Sequence, residues 1–114
     1  MASAHTPRMT GTTRQVLACL LESPTGAYGL EIGTATGLAS GTVHPILARL
    51  EGLGWVSSEW EDVDASAVGR PRRRYYRLTG HGARSATTAL ATAEAAVRRR
   101  QSRGLRTAFQ GGLS

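Results

Sequence analysis

Apolar residues fall along this chain in three short helical stripes, two alternating runs and one long alanine-rich seam. The first stripe is Val16, Leu17, Leu20 and Leu21, at the three- and four-residue steps that line one helix face. Thr12 and Gln15 have capping-box spacing, so a helix is predicted from about Thr12, ended by Ser23, Pro24 and Gly26. A short second helix over 28–36 carries Leu30, Ile32 and Ala35 as its apolar residues. Gly33 weakens it and Gly37 stops it in the left-handed conformation. After a turn at Leu38 and Ala39, Ser40 is placed as N-cap of a third helix. Its core stripe is Val43, Ile46, Leu47, Leu50 and Leu53, and Gly54 closes it. Pro45 falls near the first turn, late for an ideal N1 proline.

The period then changes from helical to two. Residues 55–62 read as a strand from Trp55 and Val56 to Trp60, residues 63–69 as a small-residue turn, and residues 72–78 as the returning strand. Tyr76 and Leu78 are expected to point inward. Thr79 caps a last, alanine-rich helix over 80–103, in which Ala83, Ala86, Leu90, Ala93 and Val97 form a heptad-like seam. A seam that narrow fits a partner helix better than the domain's own core, so these five are the expected dimer interface. The resulting domain plan is a loose arm over 1–11, a compact unit over 12–79, the long helix over 80–104 and a frayed tail over 105–114. There is no internal repeat.

Length and charge narrow the partners. At 114 residues the chain makes one domain. Its positive charge is entirely arginine, 14 residues with no lysine, and the net charge is +6. An anionic partner follows, nucleic acid first and anionic membrane second. Arginine forks onto phosphates and guanine edges, although a GC-rich genome would also favour it. The lone Cys19 sits in an apolar run as a small hydrophobe. Neither a membrane span nor a signal-peptide apolar region is legible, so the expected compartment is the cytoplasm, with no membrane partner.

The polar face of the third helix and the hairpin beside it carry the candidate chemistry. A groove-reading helix needs short residues near its start so that its N–H groups approach phosphate, and Ser40, Gly41 and Thr42 supply them. His44 and Arg49 are candidates to reach base edges or phosphates. On the hairpin, Arg70 and Arg72 are best placed for a minor groove, with Arg73 and Arg74 following. Glu59, Glu61, Asp62 and Asp64 on the opposite strand compete for them. Catalysis finds no support: no nucleophile–base set, phosphate loop or dinucleotide fingerprint is present. His5, His44, His81 and Cys19 are too scattered for a metal, and no cofactor is expected. Trp60, mid-strand, is either packed on the long helix or a platform for a flat ligand.

Helix, turn, groove-entering helix and basic hairpin make an α+β, mainly helical fold: a winged helix-turn-helix with a two-stranded wing and a long C-terminal dimerisation helix. Two strings go further. Gly41-Thr42-Val43-His44-Pro45-Ile46-Leu47-Ala48-Arg49-Leu50-Glu51 and Gly69-Arg70-Pro71-Arg72-Arg73-Arg74-Tyr75-Tyr76-Arg77-Leu78-Thr79 resemble the two signature motifs of the PadR family of bacterial transcriptional regulators. Tyr28-Gly29 resembles the family's start to the second helix, and His44 stands where the family usually has Tyr. The resemblance implies a dimeric repressor on palindromic operator DNA. It carries DNA contact to Tyr28, Ser40, Gly41, Thr42, His44, Pro45, Arg49, Arg70, Arg72 and Arg73. The single last helix resembles the short subfamily, in which flat aromatic effectors bind between subunits. The resemblance thus implies a planar aromatic effector, with Trp60 a possible contact, and the many arginines would also suit a nucleotide. The other readings are a multidrug-type ligand sensor and a protein-interaction winged helix that does not bind DNA.

Overall fold

The computed structural model describes the backbone of residues 9–112 and the side chains of residues 9–104. The elements run α1 (Gly11–Leu21), β1 (Ala27–Tyr28), α2 (Gly29–Thr36), α3 (Ser40–Gly52), β2 (Val56–Trp60), α4 (Ala65–Val68), β3 (Arg74–Leu78) and α5 (Gly80–Gly112). The three expected stripes make the core. Val16, Leu17 and Leu20 of α1, Ile32 of α2, and Val43, Ile46, Leu47 and Leu50 of α3 bury together with Trp55, Val56 and Ala27. Leaving water contributes about 1.5–3 kcal/mol for each large side chain among them. Leu53, Tyr76, Leu78 and Cys19 pack on this cluster half-buried. Burial raises the Cys19 thiol pKa, which suits its role as a small hydrophobe.

The two-stranded wing, β2 and β3, is extended by β1 into a three-stranded antiparallel sheet of order β1-β3-β2. Tyr75 faces Tyr28 across one ladder and Glu59 across the other. The two-residue β1 is too short to leave an alternation in the sequence. The turn at the wing tip is also more ordered than expected: Asp64 caps α4 by accepting from Ser66 N at 2.9 Å, and Gly69 ends it at φ 74°.

Helix starts differ from expectation by one or two residues. Thr10, not Thr12, caps α1, accepting from the Thr13 N–H at 3.2 Å. Ala39 is the N-cap of α3 and Ser40 its first helical residue, so Ser40 is no cap. Pro45 is the sixth residue of α3, beyond the first turn, and deprives the exposed Gly41 carbonyl of its intrahelical partner. Leu30, expected on the apolar side of α2, is 71% exposed.

Thr79 begins α5 as expected: its hydroxyl accepts from Gly82 N at 2.9 Å and donates to the Gly54 carbonyl at 2.8 Å. Gly82, which the sequence pattern did not single out, lets α5 press on the chain at Trp55. A Cβ there would lie 1.9 Å from the Trp55 carbonyl oxygen. α5 runs to Gly112, past the boundary at 104 where a frayed tail was expected. Of the arm expected over 1–11, residues 1–8, with His5, lie outside the described residues, as do the last two residues and the side chains beyond 104, whereas Thr10 and Gly11 already belong to the start of α1. No helix among the described residues is long and apolar enough to cross a membrane, and they bring together no cluster of metal-ligating side chains.

Candidate nucleic-acid interface

Burying one stripe of α3 forces the opposite stripe outward. Ser40, Gly41, His44, Pro45, Ala48 and Arg49 are all exposed, while Thr42 is half-buried. No side chain caps the N-terminus of α3. The carbonyl of Ala39 pairs with the N–H groups of Thr42 and Val43, leaving those of Ser40 and Gly41 directed outward. Short residues and free N–H groups at one helix end suit close approach to a phosphate. Arg49 has no ion-pair partner among the described residues.

Tyr28 and Gly29 join this face to the wing. The imidazole of His44 fills the space above Gly29, where a Cβ would lie 2.7 Å from His44 Cε1. Tyr28 closes the start of α2, its N–H donating to Glu31 Oε1 at 3.0 Å. Its ring meets Tyr75 edge-on at 5.5 Å, and the Arg73 guanidinium sits 4.2 Å above it. Tyr75 and Arg77 share the outer face of β3, and Arg73 stands just before the strand, its backbone bonded to Glu61. His44, Gly29, Tyr28, Tyr75 and Arg73 therefore make one continuous surface of arginine interleaved with aromatic rings. Tyr75 belongs to this surface. Its place in the Tyr-Tyr run was visible in the sequence, but the third strand that sets it against Tyr28 was not.

The wing arginines are less free than the sequence suggests. Arg70 is bidentate on Glu61, at 2.7 and 2.9 Å, so one of the two tip arginines expected to be best placed for DNA is tied inside the hairpin. Glu61 also accepts from the Arg73 N–H at 3.1 Å. The hydrogen bonds from Arg70 hold the Glu61 carboxyl down at about 2 and raise the pKa of Arg70 in turn. Arg72 is exposed, its Nε donating to the Val63 carbonyl at 2.8 Å. Arg77 lies 3.8 Å from Glu59.

A family model for PadR-like transcriptional regulators matches residues 16–88, from α1 into α5. The chain belongs to this family. All the PadR-like chain's candidate DNA contacts lie inside the matched span. Among curated proteins none matches it. Solved structures share its winged-helix fold. A probable transcriptional regulator from Pseudomonas aeruginosa has a TM-score of 0.66 and 21% identity, over 80% of this chain and 63% of the other. S. aureus MepR, solved with DNA, has a TM-score of 0.61 and 18% identity, over 93% and 82%. PcaV from Streptomyces coelicolor, solved with its natural ligand, has a TM-score of 0.59 and 24% identity, over 74% and 55%. The PadR-like chain thus spans little more than half of PcaV's length. These likenesses concern the fold. The matched family is one of transcriptional regulators.

The residues expected at a dimer interface divide. Ala86 is fully buried in the protomer's own core and is unavailable to a partner. Ala83 lies half-buried one turn earlier. Leu90, Ala93 and Val97 line an open groove of about 660 Å³ whose other wall is Gly11, Arg14, Gln15 and Ala18 of α1. Trp60, expected either to pack on the long helix or to offer a ligand platform, ends β2 and is 58% exposed. It borders a groove of about 320 Å³ with Tyr75, Tyr76 and Arg77, and no residue of α5 lines that groove. Trp55, by contrast, is core.

Proposed function

We propose that this regulator is a homodimeric repressor that binds palindromic operator DNA and is released by an effector. The observation that carries this reading is the unbroken polar surface from the bare N-terminus of α3 through His44 and Tyr28 to Arg73. α3 enters the major groove, with His44 and Arg49 reaching base edges or phosphates. The N–H groups of Ser40 and Gly41 approach the backbone, and Arg72 and Arg73 contact the neighbouring groove or its phosphates. Arg70 works from behind, holding the hairpin. Fluorescence anisotropy tests the reading, with DNA from upstream of the chain's own gene and a shuffled control across a salt series. A salt-steep preference of roughly 1,000-fold for the native DNA supports it. Equal binding to both duplexes sinks it.

The groove between α1 and α5 supports the dimer. It is apolar at Leu90, Ala93 and Val97 and has the length of two to three helical turns. In the assembly two copies of α3 stand about one DNA turn apart, ~34 Å. An effector entering between the subunits changes that spacing. Leu90→Asp is expected to give a monomeric mass in light scattering, and a dimeric mass would remove Leu90 from the interface. MepR's structure with DNA and PcaV's with its ligand lend the reading analogy at the level of the fold. A regulator acting on the genome of a bacterial cell works in the cytoplasm.

A further inference from the structure

Arg74 differs from the other wing arginines in what it bonds: its side chain, 41% exposed, reaches back to α3 as well as across the hairpin. By alternation it lies on the same side of the sheet as Val56, Ser58, Trp60, Tyr76 and Leu78, at the solvent end of a face whose Val56 end is core. Its Nε donates to Ser58 Oγ at 2.9 Å, and its Nη2 lies 3.5 Å from Glu51 Oε2. Ser58 Oγ donates to that same carboxylate oxygen at 2.6 Å. The guanidinium carbon stands 5.5 Å from the Trp60 ring centroid and 5.9 Å from that of Tyr76. Glu51 belongs to the last turn of α3, Ser58 to β2 and Arg74 to β3. A closed triangle of hydrogen-bonded and charged groups therefore joins the helix to the hairpin, with two aromatic rings beside it.

The junction it braces is short. Only Leu53, Gly54 and Trp55 separate α3 from β2, and Gly54 turns the chain at φ 77°. Two elements that read one duplex together must keep a fixed angle, and a misplacement of about 1 Å is enough to lose contacts. Arginine suits a brace where lysine does not. It bonds Ser58 and Glu51 from separate nitrogens while its charge stays within cation–π reach of both rings. We propose that Arg74 is a positioning residue for DNA recognition: it holds the wing at its angle to α3 and contacts no phosphate itself. This rests on the DNA-binding reading above.

Arg74→Lys separates the roles, because it keeps the charge and loses the fork. The experiment is the same anisotropy salt series, run on the full chain with Arg74→Lys, Glu51→Gln and the double variant. Each single variant is expected to bind the native DNA roughly fivefold more weakly. The salt slope and the binding to shuffled DNA stay unchanged, and the double variant loses no more than either single one. Arg74→Gln serves as control. A lysine variant that binds like wild type, with a glutamine variant whose slope flattens by about one on both duplexes, would make Arg74 a phosphate contact and overturn the proposal. Hydrogen exchange on the free protein judges the brace without DNA. Faster exchange in β2 and β3 of Arg74→Lys, with α1 unchanged, supports it; unchanged exchange in the hairpin overturns it. A wild-type chain that does not prefer its own upstream DNA removes the DNA reading separately, and the exchange result still decides whether the brace exists.

Discussion

α3 and the wing carry the same kind of polar chemistry in opposite states. On α3, His44 and Arg49 stand on an exposed face, and Arg49 has no ion-pair partner among the described residues. On the wing, every arginine from Arg70 to Arg77 has an occupant: Glu61 for Arg70, the Val63 carbonyl for Arg72, the Tyr28 ring for Arg73, Glu51 and Ser58 for Arg74, and Glu59 for Arg77. The difference lies in what holds each element together. A helix is fixed by its own backbone bonds and its buried stripe, so its outer side chains are not needed to hold it, even where His44 packs over Gly29. Two five-residue strands joined by a long connection make a marginal hairpin, and side chains must hold it. A count of wing arginines therefore overstates the number of phosphate contacts.

The largest expected effect breaks both regions at once. α3, β2 and α5 meet where Thr79 bonds Gly54 and Gly82 presses on Trp55. Gly82→Ala sets a Cβ 1.9 Å from a backbone carbonyl, which no rotamer relieves. A loss of about 3 kcal/mol or more in urea unfolding is expected. A loss below about 1 kcal/mol would show that α5 slides freely over the end of α3.

Next comes the free helix. His44→Ala should lower discrimination between native and shuffled DNA by about 1–2 kcal/mol, with little change in salt slope. Equal loss on both duplexes would make His44 a backbone contact. On the wing, Arg72→Ala should weaken binding to every sequence and flatten the slope by about one. An unchanged slope would place Arg72 with Arg70, as a residue that holds the hairpin.

The same contrast explains what was legible in the sequence. The stripes of α1 and α3 follow from periodicity that burial imposes directly. The outward face of α3 then follows by subtraction, and His44 and Arg49 were read from it. What escaped depends on approach between distant segments. β1 is two residues long and has no period; its pairing with β3 sets Tyr28 against Tyr75 and Arg73. Gly82 matters only because Trp55 lies across it. Ala86 fits a partner seam by spacing, yet α5 lies on its own core there. Charge type marked the wing arginines, but which of them a carboxylate holds is a matter of rotamer and register. The acidic strand warned of that competition without naming Glu61 as the centre.

Glu61 gives the finest test of the comparison, because removing its charge makes the wing more like α3. Its carboxyl sits at about 2 when folded, against an ordinary 4.5, chiefly because Arg70 hydrogen-bonds the charged form. A lowered folded pKa contributes stability that is complete above about 4.5 and is lost as the pH falls towards 2. In Glu61→Gln this component of the acid sensitivity disappears, so the wild-type and variant melting temperatures converge between pH 4.5 and 2. At neutral pH the glutamine still accepts from Arg70 and from the Arg73 N–H, so the hairpin persists in weakened form. Arg70 then has a neutral partner, and its charge becomes available to an approaching duplex. The salt slope should steepen by a fraction of one unit on both native and shuffled DNA. A constant gap in melting temperature across that pH range would show that Glu61 acts through shape rather than charge. A slope that stays fixed would mean that Arg70 points away from DNA even when released, leaving Arg72 and Arg73 as the arginines of the wing that reach phosphate.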